Sequence, residues 1–363
     1  MTKNWILYIL LVGILYSCQK DEDILEPSYA DVDRVASQVD LTNATVKDIY
    51  EKFNVGVLYE YDDTLDFAYT AQEADVSALW GSVEIPEIKS IYLDSLGNMS
   101  PDTVAYYEEY VNAAIAFVDT AIFQRFDPAS TVITRFPKKV LIAESIYAES
   151  KTYLYPLIES ESRSSRYYYG ALSMVYNSHS FVIAYNPDEV ERDLDAYILD
   201  DFYVFFNRVM EMNDLFSLIP ESFSEGKDAY YDQEMDSLYR TDMGIDDETT
   251  VYVVDKDWVY SKGFVDAQYF YNSPSGLGNV YDYSTSPSTK YTKAFKPSYD
   301  FVADLETDVR SYVNEMLHRD ADELAAFPAN IQDNMRTLYN LFTSWGVDFK
   351  SLNPDLEVLN SEE

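Results

Sequence analysis

Cysteine is nearly absent. Cys18 is the only one in 363 residues, so no intramolecular disulfide can form and the chain after it holds no thiol nucleophile. Cations are also scarce, with 26 Lys and Arg against 64 Asp and Glu and a formal net charge of −38. A phosphate backbone would be repelled by that field, so no nucleic-acid partner is expected. Only two histidines occur, His179 and His318. No G-x-S-x-G elbow, P-loop or G-x-G-x-x-G turn is found, which removes the signatures of serine hydrolases, nucleoside-triphosphate cradles and dinucleotide folds. There is no internal repeat and no low-complexity block.

What is present suits a globular chain. Hydrophobic residues make up 47%, which argues against wholesale disorder, and the length allows a sizeable core. The 34 tyrosines are expected mainly at core edges and on strand faces, where an apolar ring and a polar tip both find a place. Carboxylates are so abundant that paired acids for glycoside hydrolysis stay open on sequence.

The N-terminus reads as a targeting segment. Lys3 supplies a positive start, and Trp5–Tyr16 is an apolar run too short to span a bilayer but right for a signal core. It ends in Leu15-Tyr16-Ser17-Cys18, which resembles the lipobox of bacterial lipoproteins, where the signal is cut before a cysteine that becomes lipidated. Gln19-Lys20-Asp21-Glu22-Asp23 then resembles the acidic export tag of surface lipoproteins in Bacteroidetes. These resemblances imply a signal peptide over 1–17, lipidation at Cys18 and a flexible acidic leash over 18–36. They place the protein on the outer membrane, lipid-anchored and exposed at the cell surface.

Helical spacing is clear over Thr45–Phe53, from Ser100-Pro101-Asp102 to about Phe126, from about Glu189 to Ser217, from Asp300 to about Leu317, and from about Ala329 to Trp345, ending at Gly346. Val55–Tyr61 and Val140–Ala143 read as strands, and 167–185 as a hairpin with Asn177-Ser178 in its turn. The 189–217 helix is apolar around most of its circumference and should lie deep in the domain. Residues 224–250 read as a polar loop or lid, 272–296 as a long loop, and the tail over 354–363 as loose. The domain proper is expected over 37–353.

Within the deep helix the stretch Phe205–Phe223 reads FFNRVMEMNDLFSLIPESF. Asn207 and Glu211, four apart, share one face, with Arg208 beside Asn207. That is the spacing at which zinc hydrolases keep two histidine ligands and a catalytic glutamate.

Several segments together resemble the substrate import-associated zinc metallohydrolase lipoproteins of Bacteroidetes, metallopeptidase-like proteins found beside TonB-dependent nutrient importers. The resemblance rests on Ile49-Tyr50-Glu51-Lys52-Phe53-Asn54-Val55, Pro137-Lys138-Lys139-Val140-Leu141, Pro220-Glu221-Ser222-Phe223, Gly263-Phe264-Val265, Asp300-Phe301 and Trp345-Gly346-Val347-Asp348, in that order along most of the mature chain. It implies an α+β, zincin-type domain with a small sheet packed on helices. Carried onto this chain, the H-E-x-x-H positions fall on Asn207, Arg208 and Glu211, and a further ligand position falls on Asp214. Tyr299 stands where the family tends to have Glu, before Asp300, and Ala303 takes a later acidic position.

Asn is a poor zinc ligand, and Arg stays protonated and cannot act as a general base. The resemblance with these departures implies a non-catalytic member without a metal cofactor. Its former metal cleft would comprise Asn207, Arg208, Glu211, Asp214, Tyr299 and Asp300, and Arg208 and Glu211 would pair in place of the metal. The implied partners are the outer-membrane importer complex and a glycan or peptide ligand. The alternative is a zinc metallohydrolase with a rearranged site, which needs His179 or His318 beside Glu211 or Asp214.

Overall fold

The computed structural model describes residues 35–68, 83–148, 170–172, 174–177, 179–190, 194–245, 254–265, 268–270, 277–279, 294–295 and 300–360. Val39–Glu363 forms one compact unit and Met1–Gln38 a separate one. Cys18, the signal and leash segments before 35, Tyr299 and most of the 272–296 loop lie outside the described residues.

The architecture is mixed α+β. Helix α1, Ala44–Phe53, starts where the Asn43 side chain accepts from the Thr45 and Val46 amides at 3.0 and 3.1 Å. It ends where Asn54 turns left-handed, at φ 55°. Strand β1, Gly56–Leu58, follows. Helix α2, Pro101–Ala121, has Pro at its first position and an acid in its first turn. Strands β2, Lys139–Ala143, β3, Met174–Tyr176, and β4, Ser180–Ala184, complete a sheet of order β1-β2-β4-β3. The β1–β2 and β2–β4 pairings are parallel, with Val57 opposite Val140 and Leu141 opposite Val182. β3–β4 forms a hairpin closed at Asn177, whose amide donates to the Ser180 carbonyl at 2.9 Å, but the hairpin is shorter than the 167–185 expected, because Gly170–Leu172 pairs with Ile146–Ala148 in another sheet. Val140, Leu141 and Ile142 are all fully buried, as expected of a strand covered on both faces.

Helix α3, Leu194–Met212, is the central element. Phe205 faces the sheet, with its ring centroid 5.0 Å from that of Phe181. Phe206 faces the C-terminal helices, 5.1 Å from Phe342 and 5.4 Å from Phe349. Truncating either to Ala would cost about 3–5 kcal/mol. The 189–217 helix read from the periodicity is helical over Pro187–Val190 and over α3, with residues 191–193 outside the described ones, and it does not run on to 217. It breaks at Asp214, which adopts φ 54°, and a short 3-10 turn follows over Leu215–Leu218.

Three further expectations are corrected. The polar 224–250 segment contains a helix, α4, Met235–Met243, pinned by Tyr239, which lies edge-on to Trp258 with centroids 5.2 Å apart. Polar composition hid it because so few of its residues are buried. Asp300 does not begin a helix. Strand β5, Gln268–Phe270, pairs antiparallel with β6, Asp300–Ala303, and helix α5 runs over Leu305–His318. Phe301 and Val302 suit a pleated strand, and Asp304 starts the helix by accepting from the Thr307 amide at 2.6 Å.

The tail is not loose as far as Asn360. After helix α6, Ala329–Ser344, residues Pro354–Asn360 form a 3-10 helix with Leu356 and Leu359 buried. Asn353 anchors it by donating to the Met316 and Arg319 carbonyls, each at 2.8 Å.

Candidate functional site

The candidate site lies at the C-terminal end of α3. Arg208 and Glu211 stand one turn apart and pair at 2.8 Å, as their spacing of three predicts. The second oxygen of Glu211 is taken by Arg310 of α5, at 2.5 Å. Arg310 also reaches Glu306, one turn earlier on its own helix, at 3.4 Å. One carboxylate is thus held between guanidiniums from two helices. All three side chains are partly open, with exposures of 17% for Arg208, 23% for Glu211 and 19% for Arg310.

The surroundings hold both cations in place. Arg208 donates a second bond to the Asn177 carbonyl at 3.1 Å and lies 5.2 Å from the Tyr176 ring centre. Arg310 lies 5.3 Å from the Phe216 ring centre. Burial would lower the Arg310 guanidinium, but Glu211, Tyr203, Tyr176 and Glu306 together outweigh it and hold the group above its ordinary value. Burial raises the Glu306 carboxyl, and Arg310 partly offsets it.

Asn177 links this cluster to the sheet. Its side-chain oxygen accepts from the His179 and Ser180 amides at 2.9 and 2.8 Å, and its side-chain nitrogen donates to the Phe67 carbonyl. Asn207, one turn before Glu211 on the same strip of α3, is 5% exposed, and neither polar atom of its amide has a hydrogen-bond partner among the described residues.

These residues do not fit a zinc ion. Both oxygens of Glu211 are engaged by fixed cations, Arg208 adds a positive charge at the second position, and Asn207 offers only a neutral amide. Asp214 is exposed at the left-handed residue that ends the helix. His318 is turned elsewhere: its Nε2 lies 2.9 Å from Asp200 and its Nδ1 2.9 Å from the Asn314 carbonyl. His179 is exposed, and its main chain ties to Asn177 and to Lys138. Among the described residues no group of three or more His, Cys, Asp and Glu side chains converges. The arrangement can present charge and shape to a partner or ligand. It leaves neither oxygen of Glu211 free of a cation to act as a base.

Asp300 belongs to β6, opposite Phe270, and the residue that this later part of the chain brings onto Glu211 is Arg310. Sequence reasoning missed Arg310. The available signal was its i,i+4 spacing from Glu306 in a chain with few cations.

A second charged centre lies on the other side of α5. Lys227 and Asp308 are buried together, with side-chain exposures of 2% and 0%, and pair at 2.8 Å. The Tyr231 hydroxyl donates to the same Asp308 oxygen at 2.7 Å. The ammonium lies 3.7 Å from the Phe223 ring centre, 4.7 Å from Tyr312 and 5.3 Å from Phe264. Gly263 makes the close approach possible: at φ 87°, any Cβ there would come within 2.9 Å of the Lys227 stem. Burial lowers the lysine and raises the aspartate, each partly offset by the other. Two segments that carry the resemblance, Pro220–Phe223 and Gly263–Val265, therefore meet around one caged lysine.

Comparison with protein-family models finds none that matches the chain, and searches of curated proteins and of solved structures likewise find no match.

Proposed function

We propose that this chain is a lipid-anchored, surface-exposed accessory lipoprotein of a TonB-dependent nutrient import system. It is built on a zincin-type, metallopeptidase-like scaffold and works without catalysis. Its cleft at the end of α3 binds an import substrate, a glycan or a peptide, or docks on the importer itself.

One observation carries the reading. At the helix position where the resemblance implies metal ligands, Glu211 is held on both oxygens by Arg208 and Arg310. Two fixed positive charges stand where a divalent cation would neutralise that carboxylate, and a cation would be repelled. The pattern of Lys3, the apolar run and the lone Cys18 supports the anchor.

Elemental analysis of the purified protein tests the absence of catalysis. Zinc is expected far below one equivalent, with Glu211→Ala making no difference. A full equivalent of zinc that is lost in Glu211→Ala overturns it. Metabolic fatty-acid labelling in a Bacteroidetes host tests the anchor. Label should enter the wild-type chain and be lost in Cys18→Ser; an unlabelled wild type overturns it.

A further inference from the structure

Among the described residues, seven buried side-chain nitrogen and oxygen atoms have no hydrogen-bond partner, and four of them belong to the cluster at the end of α3. They are both polar atoms of the Asn207 amide and the Nε atoms of Arg208 and Arg310. Buried polar atoms are normally paired, so a concentration of unpaired ones in a single cluster calls for an explanation.

The four atoms share one place. Tyr203, Asn207 and Glu211 follow one another at intervals of four along one strip of α3. Arg310 of α5 interacts with Tyr203 at one end of that strip and with Glu211 at the other. Arg208 is next to Asn207 in the chain and pairs with Glu211 within the same helix.

The unpaired atoms also show how Glu211 is bound. It meets Arg208 through Nη1, at 2.8 Å, and Arg310 through Nη2, at 2.5 Å. Neither arginine uses its Nε, although Nε and one terminal nitrogen form a fork that fits both oxygens of a carboxylate. Glu211 is tied to α3 and divides its two oxygens between two arginines, so it makes one bond to each. A carboxylate that is not tied to the helix has no such restriction and can seat both oxygens on one fork. The Asn207 Nδ2 is a further unused donor. Glu211 is the most exposed of the three charged side chains, so it is the one that can leave.

Charge limits what enters. Glu306 already shares Arg310 at 3.4 Å, and Asp304 and Asp214 lie near Glu306. A chain of −38 repels a polyanion, whereas a ligand with one carboxylate brings a single charge to two guanidiniums.

We propose that Arg208, Arg310 and Asn207 form a binding site for the single carboxylate of a small ligand, and that Glu211 is a tethered competitor which the ligand displaces. This rests on the reading of the cluster as a metal-free ligand-binding cleft, and needs neither the lipid anchor nor the importer.

Calorimetric titration of the mature chain, with and without EDTA, tests it. The probes are D-glucuronate, N-acetylglycine, D-glucose and inorganic phosphate. The first two carry the carboxylate on a sugar and on a peptide end, and the tighter of them identifies the source. Glucose lacks the carboxylate and should not bind. Glu211→Ala removes the competitor and should tighten carboxylate binding about tenfold. Adding Arg310→Lys to Glu211→Ala keeps the charge but loses the fork, and should weaken binding about tenfold. Arg208→Lys in the same background makes the test from the other helix if the Arg310 variant fails to fold in thermal melts.

No carboxylate binding by either the wild type or Glu211→Ala overturns the proposal, and leaves the metal-free reading to the zinc measurement. Equal or weaker binding in Glu211→Ala overturns it, as does unchanged binding in the lysine variants or tighter binding of phosphate than of both carboxylates. Carboxylate binding that EDTA abolishes overturns the metal-free reading as well, because a cation then holds the ligand.

Discussion

Asp308 and Arg310 are two residues apart on α5 and point to opposite sides of it, and the two charged centres they serve differ in kind. Asp308 meets Lys227 inside a cage of Phe223, Phe264 and Tyr312 that excludes water. Arg310 meets Glu211 in a cluster that keeps about a fifth of each side chain open. A sealed ion pair has given up its hydration and can meet no ligand, so its role is to hold the 220–231 segment and the turn at Gly263 onto α5. A half-open cluster keeps part of its hydration and can exchange one partner for another. Lys227 thus serves a sealed pair and Arg310 a partly open one.

The sharpest way to break that contrast is to empty the cage. Lys227→Ala leaves Asp308 buried without its cation and should lower the unfolding free energy by about 3–5 kcal/mol in urea titration. Lys227→Met with Asp308→Leu fills the same volume with apolar groups and should recover most of that loss. If the single variant costs less than about 1 kcal/mol, the pair behaves like a surface pair and the contrast collapses.

Asp201 provides a smaller test, because it is a buried acid on α3 with an unpartnered oxygen. Burial holds its carboxyl well above the ordinary value of 3.8, with Asp200 adding repulsion. Below pH 3.8 the group is protonated in both the folded and the unfolded chain. As pH rises past that value, only the unfolded chain gives up the proton, so the contribution of this group to stability falls. Asp201→Asn keeps the shape and cannot ionise. It should stabilise the protein by on the order of 1 kcal/mol at neutral pH, with the gain fading as pH falls toward 4 in thermal melts. A gain that does not vary with pH would mean that Asp201 ionises normally in the folded state.

Much of this was legible in the sequence where it depended on neighbours in the chain. The Pro101 start, the Asn177 hairpin and the Gly346 stop all follow from local chemistry. So does the Arg208–Glu211 pair, because a spacing of three sets it within one helix. What could not be read were contacts made across the fold. Arg310 reaches Glu211 from ninety-nine positions away, and Lys227 reaches Asp308 from eighty-one. Helix α5 was misplaced at its start because the pairing of Asp300–Ala303 with Gln268–Phe270 is equally non-local. The tail reads as loose in sequence because, among its described residues, only Leu356 and Leu359 are buried.

The smallest expected effect belongs to the half-open cluster. Glu211→Gln removes the shared negative charge and leaves Arg208 and Arg310 facing each other, with about a fifth of each side chain open to water. The loss should be about 1 kcal/mol at low salt, the upper end for a partly exposed pair. It should shrink when ionic strength rises from about 0.05 to 0.5 M, because screening then weakens both the lost attraction and the new repulsion. The loss in Lys227→Ala should not change over the same range, since salt does not enter the cage. Urea titrations of the two variants at both salt concentrations give the comparison directly. If the Glu211→Gln loss is also independent of salt, Glu211 is as sealed as Asp308, and the cluster at the end of α3 offers nothing for a partner to exchange with.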